Sequence, residues 1–176
     1  ARRADDVVVG AVIGNGDYSC DTGFVGVSDD AAAESAALCL GRLRAAWGDR
    51  FQPVLGDHEL GKFSIFGACG GFRLASWDRC VGEFGFAPFW HRRLGDYSLL
   101  GLTSSLLAFP VYEPEALPEE RPRWRALRAQ HLKAIRDALE AVPDDRRIVL
   151  FLHDPTALPF LWEEPAVRRR AVQLEA

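Results

Sequence analysis

The chain has 176 residues, 48% of them hydrophobic and 26% charged, a balance that supports one globular domain with a core and excludes a disordered chain. Its net charge of −4 provides no chain-wide basic field for nucleic acid or an anionic membrane surface, and no apolar run approaches the length of a membrane-spanning helix. The one compact basic run, Arg168-Arg169-Arg170, reads as a solvated helix face.

Taken in chain order, residues 7–13 (VVVGAVI) form a short β-branched run stopped by Gly14-Asn15-Gly16-Asp17, the pattern of a buried strand ending in a turn. Ser28 is the expected N-cap of a helix over 29–47, with Asp29 and Asp30 where the helix dipole favours negative charge. In that helix Ala36, Leu40, Leu43 and Trp47 recur at helical spacing as one apolar stripe. A second strand is expected over 51–55, ended by Gly56-Asp57-His58-Glu59, and the glycine-rich stretch 66–72 (FGACGGF) reads as a mobile loop. Strands are expected at 97–102 and 148–152, the latter running into His153-Asp154-Pro155. Between them a proline- and glutamate-rich connector over 110–122 leads into a long helix over 122–142, with Trp124, Leu127, His131, Ile135, Ala138 and Val142 along one side.

Short strands alternating with amphipathic helices define an α/β fold, and no linker divides residues 1–176 into two domains. Cys20, Cys39, Cys69 and Cys80 contain no C-x-x-C pair for structural zinc and are too sparse for a disulfide scaffold. Reduced thiols in a cytoplasm are therefore expected, in line with the absence of a signal-peptide pattern over residues 1–6.

The residues that look chemical share one position. Asp17, Asp57 with His58, and His153 each follow the C-terminal end of an expected strand, the edge of an α/β sheet where loops converge over a rigid base. Carboxylate oxygen and imidazole nitrogen together suit manganese, iron or zinc better than magnesium. Other candidates are weaker. Gly14-x-Gly16-x-x-Ser19 lacks the third glycine of a dinucleotide loop, and Ser104 and Ser105 lack a nucleophile-elbow context. His91 sits among arginines, His131 lies on a core stripe, and Trp90, Trp124 and Trp162 read as core or loop-anchoring aromatics.

Three segments in order resemble the central motifs of calcineurin-like metallophosphoesterases. Gly16-Asp17-Tyr18-Ser19-Cys20-Asp21 is similar to that family's G-D-x-x-D with one extra residue, and Gly56-Asp57-His58-Glu59 to its G-N-H-[D/E] with Asp for Asn. Leu150-Phe151-Leu152-His153-Asp154-Pro155 resembles the strand that runs into a lone ligand histidine, and Leu94-Gly95-Asp96 with Leu102-Thr103-Ser104 looks like the turn and strand end between those motifs. The first D-x-H and last G-H-x-H motifs do not occur, so the chain reads as the middle of such a domain, incomplete at both ends.

The resemblance implies a layered α/β sandwich of the metallophosphoesterase type. It implies a hydrolase, a phosphatase in the broad sense, that cleaves a phosphate ester of unspecified class by attack of metal-bound water at a site of two divalent or trivalent ions. Asp17 would be the shared carboxylate, and Asp57 and His153 further metal ligands. His58 would act on the leaving oxygen as a catalytic residue, with Asp21 fixing its tautomer. A degenerate, non-catalytic protein of the same fold is the competing expectation.

Overall fold

The computed structural model describes residues 8–19, 25–62 and 71–175. Strand β1 (Val12–Asn15) opens the described fold and pairs in parallel with β2 (Phe51–Val54). The expected strand over 7–13 is thus displaced toward the turn. Its first residue lies outside the described residues, Val8 is 90% exposed, and the ladder runs from Val12 opposite Phe51 to Asn15 opposite Val54.

Between these strands runs α1 (Asp30–Trp47). Its cap is Asp29 rather than Ser28: the Asp29 carboxylate accepts from the amides of Ala31 at 2.9 Å and Ala32 at 3.3 Å, whereas Ser28 Oγ donates to the Val25 carbonyl. Ala36 and Leu40 are fully buried, and Leu43 and Trp47 pack against the same core, as their spacing requires. Gly48, at φ +52, ends the helix.

After β2 come the single turn α2 (Asp57–Leu60) and α3 (Leu74–Asp78), which continues as a π-helical turn over Arg79–Glu83. The stretch over 66–72 falls largely outside the described residues, but its last residue, Phe72, is fully buried against Tyr112 and Trp124.

The larger sheet is ordered β3-β4-β5-β6: β3 (Phe89–Leu94) antiparallel to β4 (Tyr97–Leu102), then β5 (Arg147–Phe151) and β6 (Leu174–Glu175), each parallel to its neighbour. Gly95, at φ +55, makes the two-residue β3–β4 turn possible. Strand β3 carries no sequence signal because it is an edge strand, with His91, Arg93 and Leu94 exposed; its charges offset the risk of an open edge.

The connector over 110–122 is helical over its first part and then turns before the long helix. Helices α4 (Ser104–Leu107) and α5 (Phe109–Tyr112) and a 3₁₀ turn lead into α6 (Arg121–Ala141), whose second residue, Pro122, loses no helical hydrogen bond at that position. Two short helices, α7 (Leu158–Glu163) and α8 (Pro165–Arg169), precede β6, and Trp162 on α7 is 54% exposed rather than in the core.

Alternation along β4 sends Leu100 and Leu102 into the main core with α1 and α6. It sends Leu99 into a smaller cluster with Val54 of β2 and Trp90 of β3, which joins the two sheets. Trp90 Nε1 donates to the Pro53 carbonyl at 2.9 Å across that junction. The α/β architecture therefore holds the C-terminal ends of β1, β2 and β5 near one another. Among the described residues no helix is long and apolar enough to cross a membrane.

Candidate metal centre

The loop after β1 turns through Gly16 (φ +95) and Asp17 (φ +56), the one non-glycine residue with positive φ among the described residues. That conformation costs an L-residue energy, so neighbouring structure must hold it. Glu59 supplies the hold. Its fully buried carboxylate accepts from the main-chain amides of Tyr18 (2.6 Å) and Ser19 (3.0 Å) on one oxygen, and from those of Asp17 (3.0 Å) and Gly56 (3.0 Å) on the other. Burial pushes the Glu59 carboxyl up, yet each oxygen already takes two N–H donors, leaving no lone pair for a proton; the group is a carboxylate.

Glycine is required where the loops touch. A Cβ on Gly16 would meet His153 Nδ1 at 2.5 Å and Gly56 Cα at 2.8 Å, and one on Gly56 would meet Asp17 Oδ1 at 2.5 Å. The same close approach brings the carboxylates of Asp17 and Asp57 together at the ends of β1 and β2.

His153 completes the group from the end of β5. Its Nδ1 lies 2.6 Å from the Asn15 carbonyl, an acceptor only, so Nδ1 carries a proton and donates. Asn15 also binds the Leu152 carbonyl through its amide at 3.1 Å, fixing both loops. The other ring nitrogen, Nε2, then faces Asp17 Oδ2 at 3.2 Å and Asp57 Oδ1 at 3.3 Å. A neutral imidazole would aim a lone pair at two carboxylates, so the arrangement calls for a positive charge between them, either a proton or a metal ion.

The residues fit a cation. One ligand atom from each of Asp17, Asp57 and His153 lies within 4.8 Å of the others. Asp57 is 4% exposed, and its buried Oδ1 pairs with His153 Nε2 at 3.3 Å and meets no other donor among the described residues. An imidazole tautomer fixed through Nδ1 is the usual preparation for ligation through Nε2.

Hydrogen bonds from His153 to Asp17 and Asp57 push its pKa up to about 11 against the cost of burial. Burial works to raise the Asp57 carboxyl, but neighbouring His153 and Lys62 outweigh it and hold it well below the usual carboxylate range. The signs follow. In the metal-free chain the raised His153 contributes stability that is complete below its ordinary 6.5 and lost as pH rises through about 11. The depressed Asp57 contributes stability present above its ordinary 3.8 and lost as pH falls through its lower folded value.

A cation must displace the His153 proton, so affinity for Mn²⁺ or Zn²⁺ should rise about tenfold per pH unit between about pH 6 and pH 9. Calorimetric titration at stepped pH in buffers of differing ionisation enthalpy measures both the slope and the released proton. Affinity independent of pH would remove His153 from the ligand set.

Of the residues singled out in the sequence, Asp17, Asp57 and His153 meet in space. His58 stands beside them on α2, half-buried, with its amide 3.4 Å from Asp17 Oδ1 and no hydrogen bond from its imidazole to any described residue. Asp21 lies outside the described residues. His131 is a core residue: its Nε2 accepts from the Thr103 amide at 3.2 Å, and burial lowers its pKa to about 4. Ser104 Oγ accepts from the Asp154 amide at 3.0 Å, and His91 is exposed.

Sequence reasoning missed Glu59 and Lys62. For Glu59 the signal was an acid three residues after Gly56 at the start of a helical turn, placed to reach back to the Gly56 amide. Lys62 carried no signal, because its partners, Asp57 Oδ2 at 2.6 Å on α2 and Asp154 Oδ2 at 3.4 Å after β5, are brought together only by the fold.

Fold and site together define an α/β domain with a carboxylate–imidazole cluster at converging strand ends. No family model, no curated protein and no solved structure significantly matches the chain.

Proposed function

We propose that the protein is a metal-dependent phosphoesterase of the calcineurin-like type, hydrolysing a phosphate ester at the cluster of Asp17, Asp57 and His153. The observation that carries this reading is the convergence of the Asp17 carboxylate and the buried Asp57 Oδ1 on Nε2 of a histidine whose tautomer is already fixed for ligation. Asp17, Asp57 and His153 would hold manganese, iron or zinc, the ions suited to mixed oxygen and nitrogen donors. Bound metal would supply charge neutralisation at the phosphoryl oxygens and lower the pKa of water. The chain's own residues do the rest. Glu59 keeps Asp17 in place, Asn15 orients His153, and His58, beside the cluster with an imidazole bonded to no described residue, protonates the leaving oxygen. Asp21 would orient His58, as the resemblance implies. The substrate is a phosphorylated compound, and the free thiols of Cys39 and Cys80 suit a cytoplasmic protein.

One observation favours a non-catalytic reading. His153 Nε2 lies within 3.3 Å of both carboxylates and Lys62 pairs with Asp57, so a protonated His153 already balances the cluster without an ion.

Titration with Mn²⁺ and Zn²⁺ separates the two. The wild-type chain should take up metal and hydrolyse an aryl phosphate, and the Asp17→Ala, His153→Ala double variant, lacking two direct ligands, should lose more than the roughly 10–100-fold in metal affinity that follows removal of a ligand's outer partner. Equal uptake by both proteins would mean the ligands are misassigned, and no uptake by either would favour the ion-free cluster.

A further inference from the structure

We propose that the cluster in this chain takes a single divalent transition-metal ion, and that the Lys62 ammonium stands in the place of a second one as a permanent cation. The inference rests on the metal-dependent reading above and goes beyond it.

The two oxygens of Asp57 face different cations. Oδ1 is buried and faces His153 Nε2 at 3.3 Å, whereas Oδ2 is held by Lys62 Nζ at 2.6 Å. Asp57 is therefore divided between an ion site and an ammonium. The lysine is itself fixed. Its Nζ reaches Asp154 Oδ2 at 3.4 Å and lies 5.0 Å from the centre of the Tyr112 ring, while the Tyr112 hydroxyl donates to the same Asp154 oxygen. Asp154 Oδ1 accepts from the Thr156 amide at 2.9 Å, so Asp154 is engaged at both oxygens. These contacts give Lys62 a built seat, unlike a surface lysine that meets a carboxylate by chance.

Charge points the same way. Asp17, Asp57, Asp154 and the Glu59 carboxylate bring four negative charges to a partly buried region, and Lys62 neutralises one of them. One divalent ion with a neutral imidazole ligand neutralises two of the other three. A second divalent ion would turn the cluster net positive beside Lys62, and it would compete for the Asp57 oxygen that the ammonium holds. Lys62 thus sets the number of ions, and it positions Asp57 with one oxygen free for metal.

The test is metal stoichiometry and affinity, measured by equilibrium dialysis with elemental analysis and by calorimetry on the wild type, Lys62→Gln and Lys62→Arg, with Mn²⁺ and Zn²⁺ as probes. The wild type should bind one ion per chain. Lys62→Arg should keep that count. Lys62→Gln should bind the first ion at least about tenfold more tightly, through loss of a nearby like charge, or admit a second. Two ions bound at this cluster by the wild type would overturn the proposal, and that result needs no variant to fold. A folded Lys62→Gln protein with wild-type count and affinity would overturn it as well. Failure of the underlying reading looks different: the wild type would take up no ion, or Asp17→Ala would leave uptake unchanged.

Discussion

Replacing Glu59 by glutamine should lower the melting temperature by about 10 °C and weaken cation binding at a cluster that Glu59 does not itself join. The substitution keeps the shape of the side chain but turns one acceptor oxygen into an N–H₂ donor. Two of the four main-chain amides now satisfied by the carboxylate, from Asp17, Tyr18, Ser19 and Gly56, would then face a donor at a fully buried side chain. Buried donors left unpaired in this way cost about 3–5 kcal/mol together. For a domain of this size that corresponds to roughly 2–4 °C for each kcal/mol. Asp17 sits at φ +56 because this carboxylate holds its amide, so the ligand loop should relax as stability falls. Thermal unfolding followed by circular dichroism, with a parallel Mn²⁺ titration, reads both effects. A melting temperature within about 2 °C of the wild type would show that the amides find other partners and that Glu59 is no clamp.

For His58 the expected effect lies on turnover and leaves metal almost untouched. His58→Asn should lower kcat by about 10²–10⁴ on an alkyl phosphate, the range for loss of a positioned general acid. The loss should shrink for an aryl phosphate, whose leaving oxygen needs little protonation. His58 neighbours Asp17 through its main-chain amide and its imidazole makes no hydrogen bond to a described residue, so the substitution breaks none of the described contacts that hold the cluster. Asp57→Ala should by contrast lose metal and activity together, since it removes a buried carboxylate of the proposed metal site. If His58→Asn empties the site, His58 is a ligand and the proposed roles are wrong. If turnover is unchanged on both substrates, His58 is only a turn residue.

Much of this arrangement is legible without coordinates. The stripes on α1 and α6 and the apolar runs of β2, β4 and β5 carry their own periodicity, because each of those elements buries a continuous face. Asp17, Asp57 and His153 stand out because each is a chemical residue just past a strand end, and parallel strands bring such ends to one edge. Strand β3 and the helical turns over 104–115 were not legible. The former is a partly exposed edge carrying charges, and the latter are single turns fixed by packing around Trp124 rather than by propensity.

The sequence by itself thus determined the alternation of strands and helices, the glycine-marked turns and the identity of the three residues with ligand chemistry. Only the tertiary structure decided how they act together. The Nδ1–Asn15 bond that orients His153 spans 138 residues, Glu59 reaches back 42 residues to hold Asp17, and Lys62 finds Asp154 at a separation of 92. Contacts of that range leave no periodic trace in a sequence, because they depend on where the packed sheets place separate loops and not on any repeat along the chain.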